Sequence, residues 1–105
     1  MAALSAGTTA PDFELVTDAL GPFRLSQARG KPVVIFFYPE DETEGCTIEN
    51  LEFTAQMPAF RRMGVEVVGI SPDTVERHCR FREKHALKAT LAADPGRQAI
   101  AAYGV

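Results

Sequence analysis

A cysteine in a polar loop is the residue of this sequence with the strongest case for chemistry. Residues 39–49 follow the strongest strand pattern of the chain and carry Cys46 to the point where a helix is expected to begin. Free backbone N–H groups and the positive end of the helix dipole favour a thiolate there, and the thiolate is the nucleophilic form of cysteine. Gly45 allows a tight turn, and the hydroxyl of Thr43 is available to bond either the sulfur or a substrate oxygen. The loop is therefore a candidate nucleophile site.

The alternative for Cys46 is a small apolar filler at the start of a helix, because free cysteines are among the most often buried residue types. Its neighbours are charged or small, which favours the reactive interpretation. The same neighbours also oppose it, because like charge disfavours the ionisation of a thiol. The carboxylates expected around Cys46 are Glu40, Asp41, Glu42 and Glu44.

The stretch before the loop predicts two kinds of strand. An opening that alternates weakly, residues 7–15, is followed by a turn at Gly21 and Pro22, which predicts a short edge hairpin. Residues 33–38 are β-branched and aromatic without alternation, which is typical of a central strand covered on both faces. The loop thus begins at the carboxyl end of a buried strand, where parallel sheets gather their chemistry.

After the loop the spacing of apolar residues becomes helical. Residues 47–63 predict a helix with a break or kink just before Pro58 and a cap at Gly64. The remaining elements are a strand at residues 65–70, a helix from residues 71–74 to about Leu87, a short strand at residues 91–93 and a last helix over residues 94–104. Alternating strands and helices predict an α/β fold in which a mostly parallel central sheet is flanked by helices, with the strands at 33–38 and 65–70 adjacent.

Length and composition predict one soluble domain over residues 1–105. The chain is 46% hydrophobic and 24% charged, which is enough for a single core. A formal net charge of -3 gives no compositional support for nucleic acid as a partner. No apolar run approaches the roughly 20 residues that cross a bilayer, and residues 1–7 lack the pattern of a signal peptide, so no membrane partner and a cytoplasmic location are expected.

Two other uses of the cysteines and histidines are weighed. A dithiol of the thioredoxin kind requires a second cysteine at position 49, which is Glu49. A metal site made of His78, Cys79 and His85 is disfavoured, because adjacent residues diverge on a helix and the histidines are about 10 Å apart along its axis. The histidines and the charged run at residues 77–84 are therefore expected to be solvated, and no metal is predicted.

The loop and its surroundings resemble the peroxiredoxin family. Pro39, Thr43 and Cys46 match the family signature of Pro, three residues, Thr, two residues and Cys. The wider frame is similar in the segments GTTAPDFEL, LSQARGKPVVIFFYP, GVEVVGISPD and ADPGRQAIAAYGV. The most similar branch is the Q-type, or bacterioferritin-comigratory, branch, whose loop reads Thr-Pro-Gly-Cys-Thr where this chain has TEGCT.

The resemblance implies a thioredoxin-like fold and a thiol-dependent peroxidase without a cofactor. Cys46 would attack the O–O bond of hydrogen peroxide or an organic hydroperoxide and become a sulfenic acid, which a thioredoxin-like protein or a small thiol then reduces. Thr43 would position the peroxide, and the ring of Pro39 would shield the sulfur from water. Glu49 matches a glutamate that helps to orient an arginine in the family.

Three departures from the family pattern bear on this expectation. Family members continue past Val105 with further strands, one of which bears that arginine, so the fold is expected to be C-terminally short and no arginine is assigned. Glu44 replaces the Q-type proline. Leu51 stands where many Q-type members carry the resolving cysteine, which leaves Cys79 as the internal candidate for resolution or as an inert core residue.

The missing part leaves several expectations open. The chain is a piece of a longer protein, or a homodimer supplies an arginine in trans, or the activity is poor. The competing class of function is a thioredoxin-like module that serves in protein interaction without peroxidase activity.

Overall fold

The computed structural model describes residues 4–19, 21–28 and 30–105, and its strands form two sheets. An antiparallel hairpin precedes a parallel three-stranded sheet, as the sequence predicts. In chain order the elements are β1 Glu14–Val16, β2 Pro22–Arg24, a 3-10 turn Leu25–Ala28, β3 Val33–Phe37, α1 Glu44–Arg62, β4 Glu66–Ser71, α2 Val75–His85, β5 Thr90–Ala93 and α3 Gln98–Ala102. The predicted α/β class is therefore confirmed.

The parallel sheet has the order β3-β4-β5, so β4 is its central strand. The prediction that residues 33–38 and 65–70 form adjacent parallel strands is confirmed, since Val33 to Phe37 pair in register with Glu66 to Ile70. The prediction that residues 33–38 form a central strand is wrong. Within the described residues β3 pairs with β4 alone and is an edge strand of the parallel sheet. An apolar run reports that both faces of a strand are covered, and it carries no information about the strand's edges.

Each face of the parallel sheet has its own apolar cluster. The first cluster packs α1 and α2 onto the sheet through Phe36, Tyr38, Cys46, Met57, Val67, Phe81, Leu87, Ala89 and Leu91. The second packs the hairpin and α3 onto the opposite face through Phe13, Leu15, Phe23, Val68, Ile70, Ala92 and Ala99. Right-handed crossovers that run in one direction across a sheet place their helices on one face, which explains why α1 and α2 lie together.

Helix α1 begins two residues before Cys46 and continues through Pro58. The predicted break is therefore wrong. Met57 is buried, and Phe53 and Phe60 pack against the same apolar cluster on either side of the proline. This packing holds both halves of the helix on the sheet and outweighs a cost of about 3 kcal/mol for an internal proline. Within the described ranges, no helix is both long enough and apolar enough to cross a membrane.

The last helix, α3, starts later than the sequence predicts. Arg97 adopts a left-handed conformation with φ 57° immediately before it. The carboxylate of Asp94 accepts hydrogen bonds from the backbone N–H groups of Gln98 at 2.8 Å and Ile100 at 2.9 Å. Asp94 thus caps α3 from a position four residues before the first residue of the helix.

Candidate active site

Cys46 is the third residue of α1, at the carboxyl end of the parallel sheet. The helix start that the sequence predicts within two residues of the cysteine is confirmed. The side chain is 7% exposed and belongs to the apolar cluster under α1. Burial alone fits both interpretations of Cys46, whereas the position in the first turn favours the nucleophile, because the unpaired N–H groups of a helix lie there.

Thr43 is the N-cap residue of α1, and its hydroxyl does not cap the helix. The hydroxyl instead donates to the carbonyl oxygen of Glu40 at 3.2 Å. The carbonyl of Thr43 accepts two bonds from Thr47, one from the backbone N–H at 2.9 Å and one from the hydroxyl at 2.7 Å. Thr47 therefore holds the first turn through the Thr43 carbonyl, and the hydroxyl oxygen of Thr43 remains able to accept a hydrogen bond.

Pro39 and Glu49 flank this turn. Pro39 is exposed and borders a groove of about 310 Å³ at the end of β3, lined also by Pro72, Arg97 and Ile100. Glu49 is half-buried, and within residues 4–19, 21–28 and 30–105 it forms no salt bridge. The arginine that the resemblance implies for Glu49 is thus not among its described partners.

Cys79 lies on a different flank of the molecule. It is exposed, which makes the buried-filler interpretation wrong. Its sulfur is 4.0 Å from the carbonyl oxygen of Asp18, in the connection between β1 and β2. Cys46 lies instead in the cluster between α1 and the sheet. The structure therefore gives the two cysteines separate surroundings.

A buried polar network that the sequence reasoning missed adjoins the loop before Cys46. His78, expected to be solvated, is completely buried. Its Nδ1 is 2.6 Å from Oδ2 of Asp41, and its Nε2 is 3.1 Å from the carbonyl oxygen of Ala92. The hydroxyl of Tyr38 donates to Oδ1 of Asp41 at 2.7 Å. Burial, followed by this hydrogen bond, raises the pKa of Tyr38 above its ordinary value.

Asp73 ties the loop after β4 to the same network. Its Oδ2 accepts from the Ser71 hydroxyl and from the backbone N–H of Asp41, both at 2.7 Å. Its Oδ1 pairs with Arg77 at 2.8 Å. Thr74 caps α2, since its hydroxyl oxygen accepts from the backbone N–H of Arg77 at 3.3 Å. One signal for the network was available, since His78 is three residues before buried Phe81 on the same face of α2.

Three of the four loop carboxylates have cationic or histidine partners. Asp41 pairs with His78, and Glu40 lies 3.6 Å from Arg77. Glu42 lies 3.6 Å from Lys84 and 3.3 Å from His85. Three of the four carboxylates that the sequence places near Cys46 are therefore paired, because α2 presents complementary groups to this loop. The fourth, Glu44, is in the first turn of α1, where the helix dipole favours negative charge.

Asp41, Asp73 and His78 also resemble a cation-binding set, since one donor atom from each lies within 4.8 Å of the others. The separation of 2.6 Å between His78 and Asp41 is that of a hydrogen bond with a shared proton. Both oxygens of Asp73 already accept bonds from protein groups. The three side chains therefore form a hydrogen-bonded cluster whose donor atoms are already used within the protein.

Comparison with known proteins covers nearly the whole chain. A model of the AhpC/TSA family matches residues 6–105. The chain is 42% identical over 104 residues to the chloroplastic peroxiredoxin Q of Sedum lineare, covering 99% of this chain and 56% of that protein. It is 38% identical over 99 residues to peroxiredoxin Bcp of Bacillus subtilis, covering 94% of this chain and 63% of that protein. The chain spans about half the length of the curated relatives it matches.

The solved structures show the same likeness in three dimensions. Peroxidoxin BcpB from Mycobacterium tuberculosis matches with a TM-score of 0.88 at 37% identity, over 94% of this chain and 65% of that chain. The predicted thioredoxin-like arrangement is therefore confirmed.

Proposed function

This chain belongs to the AhpC/TSA family, in its peroxiredoxin Q branch, and on that premise we propose that it reduces hydroperoxides with Cys46 as the nucleophile. The observation that carries the proposal is the position of Cys46 in the first turn of α1, with Thr43 as the N-cap residue. The names of the relatives support the kind of reaction. The geometry supports which residues perform it.

The first step is the oxidation of Cys46. The thiolate attacks one oxygen of the hydroperoxide, so an S–O bond forms as the O–O bond breaks, and the departing oxygen takes a proton to leave as water or an alcohol. The dipole of α1 and its free N–H groups stabilise the thiolate before the attack. The hydroxyl of Thr43 donates to Glu40, so it can accept the O–H of the peroxide and orient the oxygen that is attacked.

The second step is the reduction of the sulfenic acid by thiols. One thiol displaces water from the sulfur and forms a mixed disulfide, and a second thiol releases Cys46 as a disulfide leaves. We propose a small thiol or a thioredoxin-like protein in the cytoplasm as the reductant. The separate surroundings of Cys79 favour external thiols over internal resolution in the folded arrangement. Shielding of the sulfur by Pro39, orientation of an arginine by Glu49 and completion of the site in a homodimer stay proposals.

The experiment is consumption of hydrogen peroxide and of an alkyl hydroperoxide with dithiothreitol as reductant. The unsubstituted chain is expected to turn over, and Cys46→Ser is expected to abolish the reaction. Cys79→Ser tests resolution separately, because an internally resolving cysteine leaves a Cys46–Cys79 disulfide when the thiol is withheld. Full activity of Cys46→Ser would contradict the assignment, and an inactive unsubstituted chain would favour the interaction module instead.

A further inference from the structure

Asp41 is held at each of its polar groups although it lies in a loop. Its two carboxylate oxygens meet the Tyr38 hydroxyl at 2.7 Å and His78 Nδ1 at 2.6 Å. Its backbone N–H donates to Asp73 at 2.7 Å, and its carbonyl accepts from Nη2 of Arg77 at 3.5 Å. The residue is 1% exposed. Any displacement of this loop residue therefore breaks several buried hydrogen bonds at once.

The partners of His78 define where the protons lie. The carbonyl oxygen of Ala92 can only accept, so Nε2 of His78 carries a hydrogen. The Tyr38 hydroxyl uses its own hydrogen on the other oxygen of Asp41, so a single proton is shared between Nδ1 and Oδ2. The contact between His78 and Asp41 therefore depends on this one shared proton.

The loop needs such a restraint because of the residue that follows Asp41. Glu42 has φ 71°, a left-handed conformation that is unfavourable for a residue with a Cβ atom. A backbone in this region persists when the surrounding structure fixes it on both sides. Asp41 fixes one side. On the other side the hydroxyl of Thr43 reaches back to the carbonyl of Glu40 at 3.2 Å.

We propose that His78 and Asp41 are positioning residues for the reaction at Cys46. Their buried hydrogen bond holds residues 39–43 in the strained conformation that places the Thr43 hydroxyl at the start of α1. The inference rests on the proposed function, because it assigns a task within that site. Both residues act through the loop, and neither is assigned contact with the substrate.

The hydrogen bond between His78 and Asp41 can be tested without any enzyme assay. In the 105-residue chain with ¹⁵N-labelled histidine, we expect a strongly downfield proton signal from the short contact between Nδ1 of His78 and Asp41. In Asp41→Asn the amide can donate to Nδ1, so we expect that signal to disappear while the hydrogen bond is kept. Absence of the signal in the unsubstituted chain would overturn the shared hydrogen bond.

The positioning role predicts opposite changes in two reactions of Cys46. In Asp41→Ala we expect oxidation by hydrogen peroxide to slow by about 10- to 100-fold, because small displacements cost rates of that order. We expect alkylation of Cys46 by iodoacetamide, measured on the peptide by mass spectrometry, to become several-fold faster as the loop opens. Asp41→Asn retains hydrogen bonds to Tyr38 and His78, and it is expected to restore most of the oxidation rate.

The matched control is Val68→Ala, a truncation of a completely buried residue on the opposite face of the sheet. It lowers stability without touching the loop, and both rates at Cys46 are expected to stay within about twofold of the unsubstituted chain. Equal effects of Asp41→Ala and Val68→Ala on both reactions would reduce the pair to a structural role and contradict the proposal.

Two further outcomes are separated by the design. If the unsubstituted chain does not consume peroxide, the proposed function fails, and the proton signal of the His78–Asp41 contact together with the alkylation contrast still decides the positioning role. If Asp41→Ala does not fold, the comparison passes to His78→Gln and Asp41→Asn, for which slower oxidation and faster alkylation of Cys46 in His78→Gln support the proposal and unchanged rates overturn it.

Discussion

Helix α2 carries two polar anchors one turn apart, and they differ in what they hold. His78 pairs with Asp41 of the active-site loop. One turn later, Arg82 pairs with Asp18 of the hairpin connection, whose side chain is completely buried. Arg82 also donates to the carbonyl oxygens of Leu87 and Ala89. Each anchor joins the helix to a segment that is distant along the chain.

The two anchors differ in the number of hydrogen bonds that hold them. The guanidinium of Arg82 reaches several acceptors, and Asp18 also accepts from the N–H of Leu91 at 3.1 Å. That anchor ties the hairpin to the parallel sheet and therefore serves the fold. His78 uses both ring nitrogens, one on the Ala92 carbonyl and one on Asp41, so the second anchor depends on one shared proton. It serves the loop that carries Cys46.

Removing Asp18 is expected to give the largest loss of stability. Asp18→Ala leaves the Arg82 guanidinium without its carboxylate and the Leu91 N–H without its acceptor. A broken buried pair costs about 3–5 kcal/mol in the free energy of unfolding. Urea denaturation measures this loss. Glu14→Ala is the matched control, because it removes an Arg–carboxylate pair in which both side chains are 45% exposed, and we expect less than about 1 kcal/mol.

An unchanged urea midpoint for Asp18→Ala would show that the Arg82 anchor is dispensable to the fold. The contrast between the two anchors of α2 would then be wrong.

The sequence predicted the fold well because its signals are local. The runs that became β3, β4 and β5 and the helix start at Cys46 are each readable within a few residues. The candidate loop was readable for the same reason, since Pro39, Thr43 and Cys46 lie within one segment. Signals of this kind determine secondary structure before tertiary contacts are considered.

The anchors were not predicted because their partners are far apart along the chain. His78 and Asp41 are separated by 37 positions, and Arg82 and Asp18 by 64. A mixed run of charges on a helix usually indicates a solvated face, and residues 77–84 have that appearance. Which charged side chains turn inward depends on the acceptors that other elements supply. The same limitation applies to Pro58, whose tolerance depends on packing against the sheet.

The next effect in size is expected at alkaline pH. Burial and the bond to Asp41 raise the pKa of Tyr38, so the folded protein keeps this phenol protonated where the unfolded chain ionises. A raised folded-state pKa gives stability that is complete below the ordinary tyrosine value and is lost as the pH rises. We therefore expect the free energy of unfolding to fall above about pH 10.

Urea denaturation over the alkaline range measures this fall, and Tyr38→Phe is expected to flatten it. Tyr103→Phe is the comparison, because burial also raises the pKa of Tyr103, whose hydroxyl donates to the carbonyl of Pro11 outside the network. Tyr103 is only half-buried, so we expect Tyr103→Phe to flatten the fall less than Tyr38→Phe does. An equally steep fall in Tyr38→Phe would remove Tyr38 as its source.

A smaller loss of stability is expected at the outer edge of the His78 network. Arg77 pairs with the buried Asp73 at 2.8 Å, while its own side chain is 39% exposed. Water compensates part of the pair when Arg77→Ala removes the guanidinium, so we expect about 1 kcal/mol in urea denaturation. Amide hydrogen exchange at residues 40–43 is expected to accelerate only slightly, since the bonds of Asp41 to Tyr38 and His78 remain. Fast amide exchange throughout residues 40–43 in Arg77→Ala would show that Arg77, rather than the contact between His78 and Asp41, holds the loop.

The smallest effect is expected for the exposed pairs of the same loop. Glu42 lies 3.6 Å from Lys84 and 3.3 Å from His85, and the Lys84 side chain is 65% exposed. Glu42→Gln keeps the shape and the left-handed backbone while removing the charge, so we expect a loss below about 0.5 kcal/mol at low salt. Because salt screens exposed charges, the loss should vanish near 1 M salt, where screening acts over about 3 Å. Urea midpoints at two salt concentrations measure it. A loss as large as that of Asp18→Ala would show that burial of an ion pair does not distinguish the anchors from the exposed pairs.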